Sequence, residues 1–362
     1  MWRMKILCWM TSVVNSLNNL KNAAALAAFF VLAMLAGCSS DPEIKKLSGR
    51  TMGTNWSVVI ANPIAIFDQE DVKGEIETVL FEVNRQMSTY DPASEISRFN
   101  QFEDFNTWFP VSELFAATTA RALSFSEISN GGFDPTVGPL VNLWGFGPGT
   151  SSEVLPSDDA IALAMSTVGF SAIAVRGSDA GAGSAIQKKA ERHLDLSAIA
   201  KGLGVDEVYA LLDDLGYSNF LVEIGGEVRV KGDKDGSGWR VAVEKPIKGD
   251  RAVERLLSLK DMALATSGDY RNYREIEGVA YSHTIDPSTG RPVTHQLASV
   301  TVADPACAMA DGWATTLLVL GPTRGYQLAV AKNLPAMFIE RAGDDFVVRE
   351  TPRFEQLFGR DI

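Results

Sequence analysis

Three stretches of this chain combine residue types and spacings suited to chemistry. The first is Ala310-Asp311-Gly312-Trp313-Ala314-Thr315-Thr316, near the start of an otherwise apolar segment whose pattern predicts a helix. Asp311 and Thr315 are four apart, so on a helix they share one face, a turn from each other. A carboxylate and a hydroxyl in that relation suit Mg2+, which takes oxygen ligands and retains water or phosphate oxygens. The plainer alternative is that Asp311 caps the helix and Thr315 bonds back to the preceding turn. The second stretch runs from His193 to Gly202 and reads as a strand entering a helix, with Asp195 and Ser197 where N-caps are found. Free N–H groups at such a helix start welcome an anion, and Lys201, within the first helical turns, can meet a phosphate. Asp195 as a simple cap is the competing reading. The third stretch joins Thr266-Ser267-Gly268-Asp269-Tyr270 to the segment from Tyr281 to Gly290. It contains His283, one of three histidines, on a strand next to the turn signal Asp286-Pro287-Ser288-Thr289-Gly290. That histidine can carry a proton or be merely structural.

These stretches need elements to hold them. Thr54 to Ala61 is rich in β-formers, and Val72 to Tyr90 has apolar residues at helical spacing until Asp91-Pro92 breaks it. Val111 to Ser129 reads as a helix stopped by Asn130-Gly131-Gly132, Phe133 to Thr150 as an ordered loop, and Asp158 to Val168 as a further helix. Ala172 to Val175 and His193 to Leu196 read as strands, and Ala198 to Gly216 as a helix. Short strands are predicted at 220–224, 227–231, 240–244, 256–259, 263–266, 281–285 and 299–302. Two helices (307–320 and 323–331) and a hairpin (336–340 with 345–349) close the chain. Helices and antiparallel-looking strands mix without βαβ regularity, which predicts an α+β fold.

The 362 residues, 46% of them apolar, suffice for one large domain or two intimately joined subdomains. The chain holds 33 Lys and Arg against 45 Asp and Glu, a formal charge of −12. An acidic body without clustered Lys and Arg repels phosphate backbones, so no nucleic-acid partner is expected. The first 37 residues carry Arg3, Lys5 and Lys21 and no acidic residue, followed by an apolar run from Ala23 to Leu35 and then Leu35-Ala36-Gly37-Cys38. That run is too short to span a bilayer comfortably, which takes about 20 residues, and it resembles a bacterial lipobox. Residues 1–37 are therefore read as a lipoprotein signal peptide, Cys38 as the lipidated residue, 38–46 as a polar tether and 47–362 as the folded body. An ordinary cleaved signal peptide with a chance cysteine is the alternative. Removing the leader takes the charge to −15. Of Cys8, Cys38 and Cys307, only Cys307 then remains in the body, which excludes a disulfide scaffold.

Taken together and in order, these motifs resemble the bacterial FAD:protein FMN transferases, the ApbE family. The resemblance runs through Thr51-Met52-Gly53-Thr54, Met87-Ser88-Thr89-Tyr90, Ser94 to Asn100, Gly132 to Leu140 and Leu143 to Gly147, then through Asp195 to Lys201, Ser267 to Tyr270, Ser282 to Pro292 and Ala310 to Thr316. It implies an α+β body with a flavin cleft. Met52, Tyr90, Phe133 and Asp134 would line the flavin or adenosine part of FAD, with Asp195, Lys201 and Ile285 completing the site. Magnesium would be held by Asp311, Thr315 and the main-chain oxygen of Ala198. The implied reaction is phosphoryl transfer: an acceptor threonine attacks the FMN-side phosphorus of FAD and AMP departs, with His283 as base and Asp269 or Asp286 as groups that orient it. Acceptors in the family are subunits of membrane redox complexes such as sodium-translocating quinone reductase, modified at a Ser/Thr-Gly-Ala-Thr type motif. A lipid anchor on the periplasmic side of the inner membrane would suit such partners. The competing readings are a magnesium-dependent FAD pyrophosphatase, with water replacing the threonine, and a non-catalytic flavin-binding lipoprotein.

Overall fold

The computed structural model describes residues 43–63, 67–148, 154–178, 183–247, 252–270, 273–276 and 278–359. The leader 1–37 and Cys38 lie outside the described residues. Eight strands form the main sheet: β1 (Ile44–Thr51), β2 (Thr54–Ala61), β3 (Phe220–Ile224), β4 (Glu227–Lys231), β5 (Met262–Gly268), β6 (Leu297–Asp304), β7 (Ala336–Ala342) and β8 (Asp345–Glu350). They lie side by side in chain order, each antiparallel to the next. This is the α+β mixture read from the sequence, with the helical matter inserted between neighbouring strands.

Four long helices matter for the site: α1 (Gln69–Met87), α2 (Glu113–Ile128), α3 (Ser197–Asp214) and α4 (Cys307–Ala331). Asp68 caps α1 by accepting from the N–H groups of Glu70 and Asp71, and Ser112 caps α2 through Phe115. The apolar stripe of α1 (Val72, Ile76, Leu80) and that of α3 (Val205, Val208, Leu212) bury Trp56, Val58 and Val222 of the sheet. Helix α4 packs with α2 over β6 and β7, joining Phe125, Ala314 and Leu317 to Val300, Val302 and Phe338. The opposite side of the sheet is covered by a hairpin (Trp239–Glu244 with Val253–Leu259) and by the short helix Pro352–Phe358, through Trp239, Val243, Leu257 and Phe354.

Several local expectations change in the fold. β1 begins at Ile44, inside the stretch read as tether, because an edge strand tolerates the lysines Lys45 and Lys46 that look linker-like. The segment 193–196, read as a strand, forms none. Asn100 brackets it instead, its Nδ2 donating to the Leu194 carbonyl at 2.9 Å while its Oδ1 accepts from the Leu194 N–H at 2.7 Å. The ordered loop after Phe133 contains a helical turn, Gly138–Leu143, and a helix at Glu95–Gln101 capped by Ser94 was not anticipated. The two predicted C-terminal helices are present, α4 breaking at Gly321 (φ 77°) and Pro322.

Candidate functional site

A cleft of about 1360 Å3 opens where the β1–β2 and β3–β4 turns, the starts of α3 and the middle of α4, and the segments after β5 converge. Met52, Tyr90, Phe133, Asp134, Asp195, Ala198, Lys201, His283, Ile285 and Thr315 all line it. Asp311 lies one layer behind the wall, 2% exposed. Among the described residues, the structure therefore brings these candidates to one place, from segments spread between positions 52 and 315.

The β1–β2 turn is a two-residue hairpin with Met52 (φ 49°) and Gly53 (φ 72°) both left-handed, as a type I′ turn requires. A methionine in that region is uncommon, and its strain sets the side chain at the cleft beside Gly204, where a Cβ would lie 2.9 Å from the Met52 methyl.

At the deep end, α3 and α4 cross closely enough that a Cβ on Gly202 would meet the Cys307 carbonyl oxygen at 2.5 Å. The Gly202 N–H donates to Asp311 Oδ2 at 3.0 Å. Lys201 Nζ lies 3.8 Å from Asp311 Oδ1 and 3.4 Å from Glu227 Oε1. Burial raises the Asp311 carboxyl above the ordinary range, with the Lys201 ammonium opposing. Burial likewise pushes Glu227 up to about 8, again against the pull of Lys201. Burial works against the Lys201 charge too, but Asp311 and Glu227 outweigh it and hold the ammonium above the usual lysine range. The second oxygen of Glu227 is buried with no hydrogen-bond donor.

The capping alternative for Asp311 fails. Helix α4 starts at Cys307, and its first N–H groups are satisfied by Asp206 of α3, whose carboxylate accepts from Cys307 at 2.8 Å and Ala308 at 2.9 Å. Thr316, not Thr315, bonds back to the preceding turn, donating to the Gly312 carbonyl at 2.6 Å. Thr315 instead turns to the cleft, its hydroxyl 2.9 Å from that of Ser267 at the end of β5.

These oxygens fit a hard cation. Among the described residues no three His, Cys, Asp or Glu side chains gather to hold a metal. A cation here would rest on one carboxylate, one hydroxyl and a carbonyl, the sparse set with which Mg2+ keeps its waters and substrate oxygens. The Gly202 N–H that meets Asp311 is the one aimed, by the i to i−4 pattern of a helix, toward the Ala198 carbonyl. That pattern brings this carbonyl end of the first turn of α3 beside the Asp311 carboxylate.

Other candidates have local duties. Asp134 Oδ1 accepts from the Thr136 N–H (2.8 Å) and hydroxyl (2.6 Å) and Oδ2 from the Phe170 N–H (3.1 Å), so its carboxylate clamps the wall loop. Asp195 Oδ1 accepts from the N–H and hydroxyl of Ser197 at 2.9 and 2.5 Å, which supports the start of α3 as a cap would. Tyr90 is 68% exposed at the rim, its hydroxyl 3.4 Å from the Phe146 carbonyl. His283 meets the Phe146 ring edge to face, centroids 6.3 Å apart. The two carboxylates expected to orient His283 are engaged elsewhere. Asp269 takes both guanidinium nitrogens of Arg341, and Asp286 Oδ1 accepts from the Ser288 N–H and hydroxyl in its own turn. The turn-forming power of an Asp-Pro-Ser sequence and the reach of an arginine on β7, two strands away from β5, account for the difference.

Sequence reasoning missed Glu227. On β4 the alternation Glu227, Arg229, Lys231 reads as a solvated face, yet α3 covers it and pairs each in turn: Lys201 with Glu227, Asp206 with Arg229 and Asp213 with Lys231. Complementary charges on the adjacent helix were the available signal.

The profile of the ApbE family matches residues 52–338, which contain every residue that lines the cleft. The FAD:protein FMN transferase of Vibrio cholerae is 43% identical over 322 residues, 89% of this chain and 95% of that protein. The enzyme of the same description from Escherichia coli K12 is 36% identical over 341 residues, 91% and 95% of the two chains. Among solved structures, the flavin transferase ApbE from Vibrio cholerae superposes with a TM-score of 0.80 at 41% identity, covering 88% of this chain and all of that one. The apo flavinyl transferase ApbE of Pseudomonas stutzeri gives 0.80 at 37%, covering 89% and 98%. With fold, motif order and near full-length similarity agreeing, this chain belongs to the ApbE family.

Proposed function

We propose that this protein transfers FMN from FAD to a threonine hydroxyl of an acceptor protein, releasing AMP. The observation that carries the reading is the single cleft in which a buried carboxylate, a hydroxyl, a charged lysine and a histidine converge from distant segments. The FAD:protein FMN transferase names of its near full-length relatives support it. Its volume exceeds the 300–1,000 Å3 or so typical of small-ligand pockets, as a dinucleotide needs.

Phe133, Ile285 and Met52 provide the apolar and sulfur-bearing walls against which a planar flavin or adenine can pack. Lys201, kept protonated by its two carboxylates, gives the diphosphate a fixed positive neighbour. Asp311, Thr315 and the Ala198 carbonyl are the proposed magnesium ligands. When bound there, the metal supplies charge neutralisation to the diphosphate and to the departing oxygen. His283 accepts the threonine proton as the Oγ–phosphorus bond forms and the phosphorus–oxygen bond to AMP breaks. Phe146 restrains its ring. We further propose that Cys38 is lipidated and holds the body on the periplasmic side of the inner membrane, near acceptor subunits of membrane redox complexes.

The test is incubation of purified protein with FAD, Mg2+ and an acceptor domain. The expected result is stoichiometric AMP and an acceptor that stays fluorescent after denaturation. AMP and FMN without labelling would make the protein a pyrophosphatase, and unchanged FAD would make it a binder.

A further inference from the structure

Threonines inside the helices of this protein bond to their own helix at four positions. Thr78 in α1, Thr118 and Thr119 in α2 and Thr316 in α4 each donate to the carbonyl four residues earlier, at 2.6 to 2.9 Å. Thr315 departs from this habit. Its hydroxyl meets that of Ser267 at 2.9 Å, and both residues line the cleft. A threonine in a helix divides between two rotamers because its hydroxyl can bond back to the preceding turn. At Thr315 that return bond would run to the main-chain carbonyl of Asp311 and take the hydroxyl away from the cleft. The bond to Ser267 offsets that pull.

Ser267 owes its place to its strand. β5 runs antiparallel to β6 with Ser267 opposite Val300, and just past the strand the Asp269 N–H donates to the Ala298 carbonyl at 3.1 Å. The Asp269 carboxylate takes both guanidinium nitrogens of Arg341 on β7. The end of β5 is thereby pinned by both β6 and β7, and the Ser267 oxygen reaches toward α4 from a fixed position. A cation at Thr315 takes a lone pair of its hydroxyl oxygen, so the proton must point elsewhere, and Ser267 Oγ is the acceptor placed to receive it.

We propose that Ser267 is a positioning residue for the cation site, holding the Thr315 hydroxyl toward the cleft with its oxygen free for the metal. This rests on the magnesium assignment made above for Thr315. The stretch from Thr266 to Tyr270 then serves the site through Ser267, with Asp269 as the pin of its strand.

The test reads cation binding by the full chain and needs no turnover. Mn2+, a hard cation that accepts the same oxygen ligands, is titrated alone and its free fraction is counted by electron paramagnetic resonance. Ser267→Ala should weaken binding about ten- to a hundredfold, the usual cost of removing a group that orients a metal ligand, and Ser267→Thr, which keeps the hydroxyl, should bind within about twofold of the parent. Thr315→Val keeps the shape of the side chain and removes the hydroxyl, so in that background Ser267→Ala should cost nothing further. Parent-like binding in Ser267→Ala, a loss in Ser267→Thr as large as in Ser267→Ala, or a loss that persists in the Thr315→Val background, as a direct Ser267 ligand would give, overturns the positioning role while the magnesium assignment stands. Parent-like binding in Thr315→Val overturns both.

Discussion

Gly202→Ala tests whether the close crossing of α3 and α4 is what assembles the deep end of the cleft. A Cβ at position 202 would lie 2.5 Å from the Cys307 oxygen, 2.7 Å from its carbonyl carbon and 2.8 Å from the Ala308 Cα. All three are backbone atoms, so no side chain can swing aside. Reaching 3.4 Å, where ordinary contact begins, requires the helices to part by about 1 Å. Two effects compete in stability. Alanine in a helix interior gains about 0.5–1 kcal/mol over glycine, while overpacking costs about 1–3 kcal/mol, so a net loss of about 0.5–2 kcal/mol is expected. Gly74 in α1 is the internal control. It is exposed and a Cβ there meets nothing within 4 Å, so Gly74→Ala should stabilise by about 0.5–1 kcal/mol. Activity should suffer more than stability. The same shift lengthens the 3.0 Å bond from Gly202 to Asp311 and, on the proposed magnesium assignment, displaces the Ala198 carbonyl, and a displacement of about 1 Å in a catalytic constellation can cost about a hundredfold in rate. Urea unfolding and AMP release, measured on both variants, provide the check. A Gly202→Ala protein that is stabilised as much as Gly74→Ala and turns over at the parent rate would refute the reasoning.

Asp311→Ala should abolish magnesium-dependent AMP release, with a loss of at least about a hundredfold, while the circular dichroism spectrum stays that of a folded protein. Full activity in that variant would remove the metal assignment. Stability of the metal-free protein should fall as pH rises. Burial raises the Glu227 carboxyl in the folded state, so its contribution is complete below the unfolded carboxylate value near 4.5 and is lost as pH climbs toward about 8. Unfolding in chelator across that range should show the decline, and Glu227→Gln should flatten it; an unchanged slope would contradict the burial account. Mass spectrometry of the mature amino terminus should find acylated Cys38, and an unmodified or differently cut terminus would disprove the anchor.

The α+β class and most elements were legible because they are written locally. The apolar periodicity of α1, the Gly216 stop of α3 and the break between the two C-terminal helices at Gly321-Pro322 all act over a few residues. Less legible were segments whose state depends on a distant partner. The stretch 193–196 has strand-like residues but finds Asn100 in place of a neighbouring strand, and Ile44–Lys46 looks like linker until β2 pairs with it. The orienting groups for His283 misled for a related reason. Asp269 had an arginine within reach 72 residues later in the chain, and nothing local announces Arg341.

By itself the sequence determined that Asp311 and Thr315 share a helix face and that Lys201 lies within the first turns of a helix, since 3.6 residues per turn is a property of the backbone alone. Only the tertiary structure decided that Asp311 is buried against Gly202 and Lys201, that Asp206 and not Asp311 caps α4, and that Glu227 lies under α3. Whether a polar side chain is solvated, paired or aimed into a cavity depends on which remote element covers it, and that covering is settled by the burial of the whole apolar surface rather than by any short stretch of residues.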